Sequence, residues 1–292
     1  MSGNGKTNKK NYIYFKKYRI VSSIIFAVCL VFSLIWQIPY DETETVSWGI
    51  IIALALGETL VYMIIMSIIN NRAFNKKVIP LMDDKCDPES FTEANMQFLN
   101  VKTPKADADV TNANIAFGEF YMGNAGKAIS IMNSIIYSDD FDKTDMLVKA
   151  HYLINLVMYM MGSDPDGNME SIDRIMNEIH GLYADIERHK MSNLKLDKRI
   201  ESLDCAYAYR KGKTESYEAN VIKAFNEDDN STFGRVTAAF SLVKYYKSIG
   251  NTQEMLKYAD FVIANGNKLY FVPIVAEWKR QAEAKAEAEA EQ

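Results

Sequence analysis

The sequence predicts an all-α protein, with a two-helix transmembrane hairpin near the N-terminus followed by an α-solenoid of antiparallel helix pairs. Three observations lead there. Residues 20–38 and 48–70 are almost continuously apolar, while the rest of the chain is polar and charged. Beyond residue 88, apolar side chains recur at three- and four-residue steps, which places them on one face of a helix. Four of these stretches end at a glycine (Gly123, Gly162, Gly212 and Gly250), and each is followed by a second amphipathic stretch. Glycine at a helix end adopts the left-handed conformation that a tight reversal needs.

Residues 1–19 are basic and aromatic, with Tyr12, Tyr14, Phe15 and Tyr18 interleaved with Lys16, Lys17 and Arg19. That mixture suits an anchor on an anionic lipid surface. Residues 20–38 carry no charge over 19 positions, and a helix of ~20 apolar residues crosses a bilayer. A cleaved leader would have a shorter apolar region followed by small residues; here the run continues into Trp36, Pro39 and Tyr40. The second run, Trp48–Asn70, contains one charge, Glu58. Only PYDETETVS separates the two runs, so they return as a hairpin, with Trp36, Tyr40 and Trp48 at the boundary where aromatic residues collect. Basic residues precede the first span, and Arg72, Lys76 and Lys77 follow the second. Both termini are therefore expected in the cytoplasm, with Asp41–Thr45 outside, an arrangement that suits a bacterial cell membrane. Glu58, in mid-span, is a candidate intramembrane site, either for helix association or for a homo-oligomer contact through Ala53, Ala55 and Gly57.

A basic juxtamembrane linker, 71–87, leads into a repeat domain at 88–275 and a polar Ala/Glu/Lys tail at 276–292. Asp87 as N-cap and Pro88 at the first helical position start a helix over 88–99. The hairpins then follow. Their second helices are expected over Lys127–Tyr137, Met169–Ile186, Glu215–Phe225 and Gln253–Ala264, and their turn glycines are spaced by 39, 50 and 38 residues. Ala, Glu and Lys are strong helix formers, so the tail reads as a polar capping helix whose last dozen residues are solvated.

Aromatic-rich first helices, glycine turns and small residues in second helices (Ala128, Ala259) resemble the tetratricopeptide-repeat (TPR) family over residues 106–275. The family period is about 34 residues, so the spacing here is long, and Tyr217 and Met255 stand where a small residue is usual. The resemblance implies a concave surface lined by first helices. Phe120 and Tyr121 would come from the first hairpin, and Lys149, Tyr152 and Tyr159 from the second. The third would supply Arg199, Tyr209 and Arg210, and the fourth Phe240, Lys244 and Lys247. A basic and aromatic lining suits an acidic or carboxylate-terminated peptide.

Charge narrows the partners. Residues 1–78 carry nine basic and four acidic residues, a net +5; the remainder has 24 basic and 34 acidic, a net −10. An acidic soluble part repels phosphate backbones, so no nucleic-acid partner is expected. Cys29, Cys86 and Cys205 are far apart, and with three scattered histidines they form no metal or disulfide pattern. No cofactor or metal is expected. Gly5-Lys6-Thr7 lacks the leading glycine and strand of a phosphate loop, and Asp164–Gly167 lacks the carboxylate spacing of a calcium loop. Asn230-Ser231-Thr232 fits a glycosylation acceptor, which the cytoplasmic topology makes irrelevant. With no catalytic motif present, the sequence points to a membrane-tethered scaffold or adaptor that binds a protein or peptide partner, and not to an enzyme. The alternative is an accessory subunit of a transport or protein-insertion complex, in which the hairpin and Glu58 are the working part.

Overall fold

The computed structural model describes residues 24, 26–28, 30–31, 48–99, 105–163, 169–191, 193–227 and 230–290. The described chain is all-helical and divides into two compact units at Ile79/Pro80.

In the first unit, α1 runs unbroken from Trp48 to Lys77. Many of its described apolar side chains, including Ile52, Leu56, Leu60, Met63 and Ile64, are exposed. Phe26 of the preceding segment stacks on Tyr62 at 4.0 Å between ring centroids. Thr59 donates its hydroxyl to the Ala55 carbonyl one turn back at 2.8 Å. Among the described residues, no helix is long and apolar enough to cross a membrane. Most of the first expected span, the N-terminal residues 1–19, the turn at 39–47 and several side chains of the second span (among them Ile51, Leu54 and Met66) lie outside the described residues.

The second unit begins with α2 (Ile79–Asp83) and α3 (Pro88–Met96). Four antiparallel pairs follow: α4 (Lys105–Tyr121) with α5 (Ala125–Ile136), α6 (Met146–Ser163) with α7 (Met169–Arg188), α8 (Leu194–Arg210) with α9 (Tyr217–Asn226), and α10 (Thr232–Ser248) with α11 (Thr252–Asn265). The last helix, α12 (Val272–Ala290), continues through the expected 275/276 boundary and leaves its end exposed. From α3 onward successive helices pack on one another, as in helical-repeat proteins, except that α8 packs chiefly on α6 and α9 rather than on α7. Side chains cap the starts: Asp87 accepts from the Ser90 amide at 3.0 Å, Asn193 from Leu196 at 3.0 Å, Ser231 from Gly234 at 3.1 Å and Asn251 from Glu254 at 3.2 Å. Gly123, Gly212 and Gly250 have φ of 92°, 83° and 73° and make the expected left-handed turns.

Gly162 behaves differently. It lies inside α6, not at a turn, and a Cβ there would come within 2.6 Å of the Phe120 ring. Its small size therefore serves the close approach of α4 to α6.

The helix series returns on itself within this unit. The Gly266–Phe271 turn between α11 and α12 meets the start of the unit: the Lys268 amide donates to the Cys86 carbonyl at 3.2 Å, and the Asn267 side chain to the Lys85 carbonyl at 2.7 Å. Lys268 Nζ lies 3.0 Å from both Asp87 and Glu89. The Tyr270 amide donates to the Tyr121 carbonyl at 3.0 Å, which seats the turn on the first hairpin. Cys86 and Asn267 face this junction with φ of 48° and 46°, left-handed conformations that non-glycine residues seldom adopt. The first and last hairpins are thus tied together, and the first-helix aromatics become interior.

Candidate functional site

The first helices α4, α6, α8 and α10 carry the side chains that the sequence placed on a binding surface. Phe120, Tyr121, Tyr152 and Tyr159 are buried. Phe120 stacks on Tyr159 at 4.7 Å, and Tyr121 meets Phe233 edge-on at 4.7 Å. Burial, with a smaller contribution from Asp109, pushes the Tyr152 phenol up to about 12. Lys149 is drawn aside to the 3-10 turn at Phe141–Lys143, where it donates to the Asp142 carbonyl at 2.8 Å. The rings of these aromatics serve packing, and Lys149 is held by a local tether.

The remaining residues form two groups. The outer group is cationic and aromatic: Lys244 lies over the Phe240 ring at 4.9 Å and Lys247 over Trp278 at 4.8 Å. Phe240 in turn stacks on Phe271 at 4.1 Å. Both lysines are exposed at their side chains, yet desolvation, and then the charge of Arg210, hold Lys244 below its ordinary pKa. The stem of Lys244 faces solvent while its ammonium rests on the Phe240 ring. Arg210 donates to the Met161 carbonyl at the end of α6. Tyr209 stacks on Tyr217 at 3.9 Å, with its hydroxyl 3.3 Å from Ser248.

The inner group is centred on Arg199. Its Nη1 donates to His151 Nδ1 at 2.8 Å and its Nη2 to Asn155 Oδ1 at 2.7 Å. A guanidinium only donates, so Nδ1 must accept, and His151 is neutral with its proton on Nε2. Burial first, then the charges of Arg199 and Lys195, push His151 down to about 4. Tyr159 is the next residue on the same face, one turn beyond Asn155. Its hydroxyl is buried and has no hydrogen-bond partner among the described residues. Desolvation raises the phenols of Tyr159 and Tyr121 and lowers Arg199.

This inner arrangement has a pH signature. A histidine held below its unfolded value binds fewer protons folded than unfolded between pH ~6.5 and about 4. Its contribution to stability is thus complete above that window and is lost as pH falls through it. Urea unfolding at pH 7 and at pH 4.5 should show a loss at low pH that His151→Asn reduces; an unchanged difference would remove His151 as its cause.

His151, Asn155, Tyr270 and Trp278 are not among the site residues expected from sequence. His151, Asn155 and Tyr159 at four-residue steps in an otherwise apolar helix are the signal that would have found the inner group. On the opposite side of α8, Asp197, Glu201, Asp204 and Cys205 line an acidic crevice shared with Tyr183 and Asn220. Among the described residues, no group of histidine, cysteine and carboxylate side chains could hold a metal ion. Compared with protein-family models, curated proteins and solved structures, the chain matches none.

Proposed function

We propose that the protein is a membrane-tethered scaffold whose TPR-like helical repeats bind an acidic or carboxylate-terminated segment of a protein partner. The observation that carries this reading is the outer row of Lys244, Lys247, Phe240 and Trp278, where cations rest on aromatic rings at the surface. Such a row offers charge and apolar area to one ligand. The tether is supported by α1, which exposes apolar side chains over several turns and ends in Lys76 and Lys77. In water so long an exposed apolar surface would be costly; in a bilayer it is solvated. On this topology both termini lie in the cytoplasm, and a homo-oligomer contact would run through the hairpin. The accessory-subunit alternative rests on Glu58, which lies one helical turn from Tyr62, the residue on which Phe26 stacks.

Crosslinking and capture from membranes tests the scaffold reading. The double variant Lys244→Glu, Lys247→Glu should lose the partner recovered by the wild type while keeping its far-ultraviolet dichroism, because each lysine lies over a ring at an exposed position and not in a buried ion pair. Retention of every partner would sink the reading. Loss on Glu58→Gln, with the lysines intact, would favour the alternative.

A further inference from the structure

We propose that the half-buried cluster of Arg199, His151 and Asn155, with the buried Tyr159, is a binding site for a small oxyanion. Hydrogen-bond accounting carries this. Arg199 is half-buried and makes no ion pair among the described residues, although buried charges ordinarily have a partner. Its two hydrogen bonds go to neutral acceptors, His151 and Asn155, and the rest of its N–H groups remain for a ligand. One turn beyond Asn155 on the same face of α6, the hydroxyl of Tyr159 has no partner among the described residues, in a residue only 1% exposed. Buried polar atoms are nearly always paired, and one that is not asks for an explanation.

The cluster is rich in donors and has no anionic acceptor among the described residues, so the ligand it suits is an anion with at least two oxygens. One oxygen would take N–H groups of Arg199 and another the Tyr159 hydroxyl. Backing from His151 and Asn155 fixes the plane of the guanidinium, as a bound oxyanion requires. Burial raises the phenols of Tyr121 and Tyr159, and the charge of Arg199 opposes that rise. The aromatic wall of Phe120, Tyr121 and Tyr159 keeps the surroundings poor in water, where a charge-assisted bond gains most. Carboxylate and phosphate share this chemistry, and their relative affinities separate them.

The site is independent of the scaffold reading, which concerns Lys244 and Lys247, and the two fail by different measurements. The test is isothermal titration of the full chain in detergent with inorganic phosphate and, separately, with acetate, both against a chloride background. One of the two anions should bind, and its identity assigns the class. Tyr159→Phe should weaken that binding by about tenfold, the effect of one hydrogen bond to a charged group. The same variant should keep the unfolding temperature in chloride alone, because the atom removed bonds nothing in the protein. Arg199→Met should abolish binding; if it fails to fold, Tyr159→Phe decides alone. Binding of neither anion, or equal affinity in Tyr159→Phe, overturns the proposal.

Discussion

Phe271→Ala is expected to cost about 3–5 kcal/mol of unfolding free energy, the usual range for emptying a fully buried aromatic position. Phe271 is 1% exposed and lies almost parallel to the Phe240 ring, with 4.1 Å between centroids. It also meets Tyr270 edge-on, and Tyr270 reaches Phe120. The cavity would therefore open where the Gly266–Phe271 turn seats on the first helices, and few neighbours can move to fill it. Because that turn also holds Lys268 against Asp87 and Glu89, the loss should extend to the junction of the first and last hairpins. Hydrogen exchange should then accelerate in both α3 and α12, and not in α12 alone. Tyr137→Ala, at a surface position, is the control, with an expected change within about 0.5 kcal/mol. Urea unfolding of the full chain in mild detergent measures both. A Phe271→Ala loss no larger than the control would mean that the turn does not hold the unit closed.

Much of the helix series was legible because local signals set it. Asp87-Pro88 starts α3 as a capping aspartate and first-turn proline should, and Asp87 takes the Ser90 amide. The second helices begin and end within two residues of expectation, since their apolar stripes are strongly periodic: Met169–Arg188 against an expected Met169–Ile186, and Thr252–Asn265 against Gln253–Ala264. The return of the last hairpin to the first was not legible. Its contacts join Lys268 to Asp87 and Tyr270 to Tyr121, far apart in the chain, and no period or spacing encodes such a pairing.

That return also explains why the expected groove divides. An open array would have left Phe120, Tyr121 and Tyr159 on a concave surface. Here Tyr270 and Phe271 lie against the aromatics of the first helices, and only the Lys244 and Lys247 end stays outside. Arg199 was identified as a groove cation, but its pairing with His151 and Asn155 depends on how α6 and α8 cross. That geometry follows from packing, not from sequence spacing.

The turn glycines allow the closure to be tested without touching an aromatic ring. Gly250→Ala places a Cβ in open space at φ 73°, so it should cost only the left-handed conformation, about 1–2 kcal/mol. Gly123→Ala carries the same backbone penalty at φ 92°, but its Cβ would also come 3.2 Å from Tyr270 Cβ. Tyr270 has little freedom to yield, because its amide is bonded to the Tyr121 carbonyl and its ring meets Phe120. The alanine at 123 should therefore cost roughly 1 kcal/mol more than the one at 250, the low end of an overpacking penalty. Gly162→Ala supplies a third case with no left-handed backbone. Alanine favours helix by about 1 kcal/mol, but its Cβ would meet Phe120 at 2.6 Å, and that ring is already stacked on Tyr159. Overpacking should outweigh propensity there, giving a net loss of about 1–2 kcal/mol. Equal losses at 123 and 250 would show that the closing turn does not rest on the first hairpin, whereas the expected order, measured by urea unfolding, places Tyr270 against Gly123 in solution.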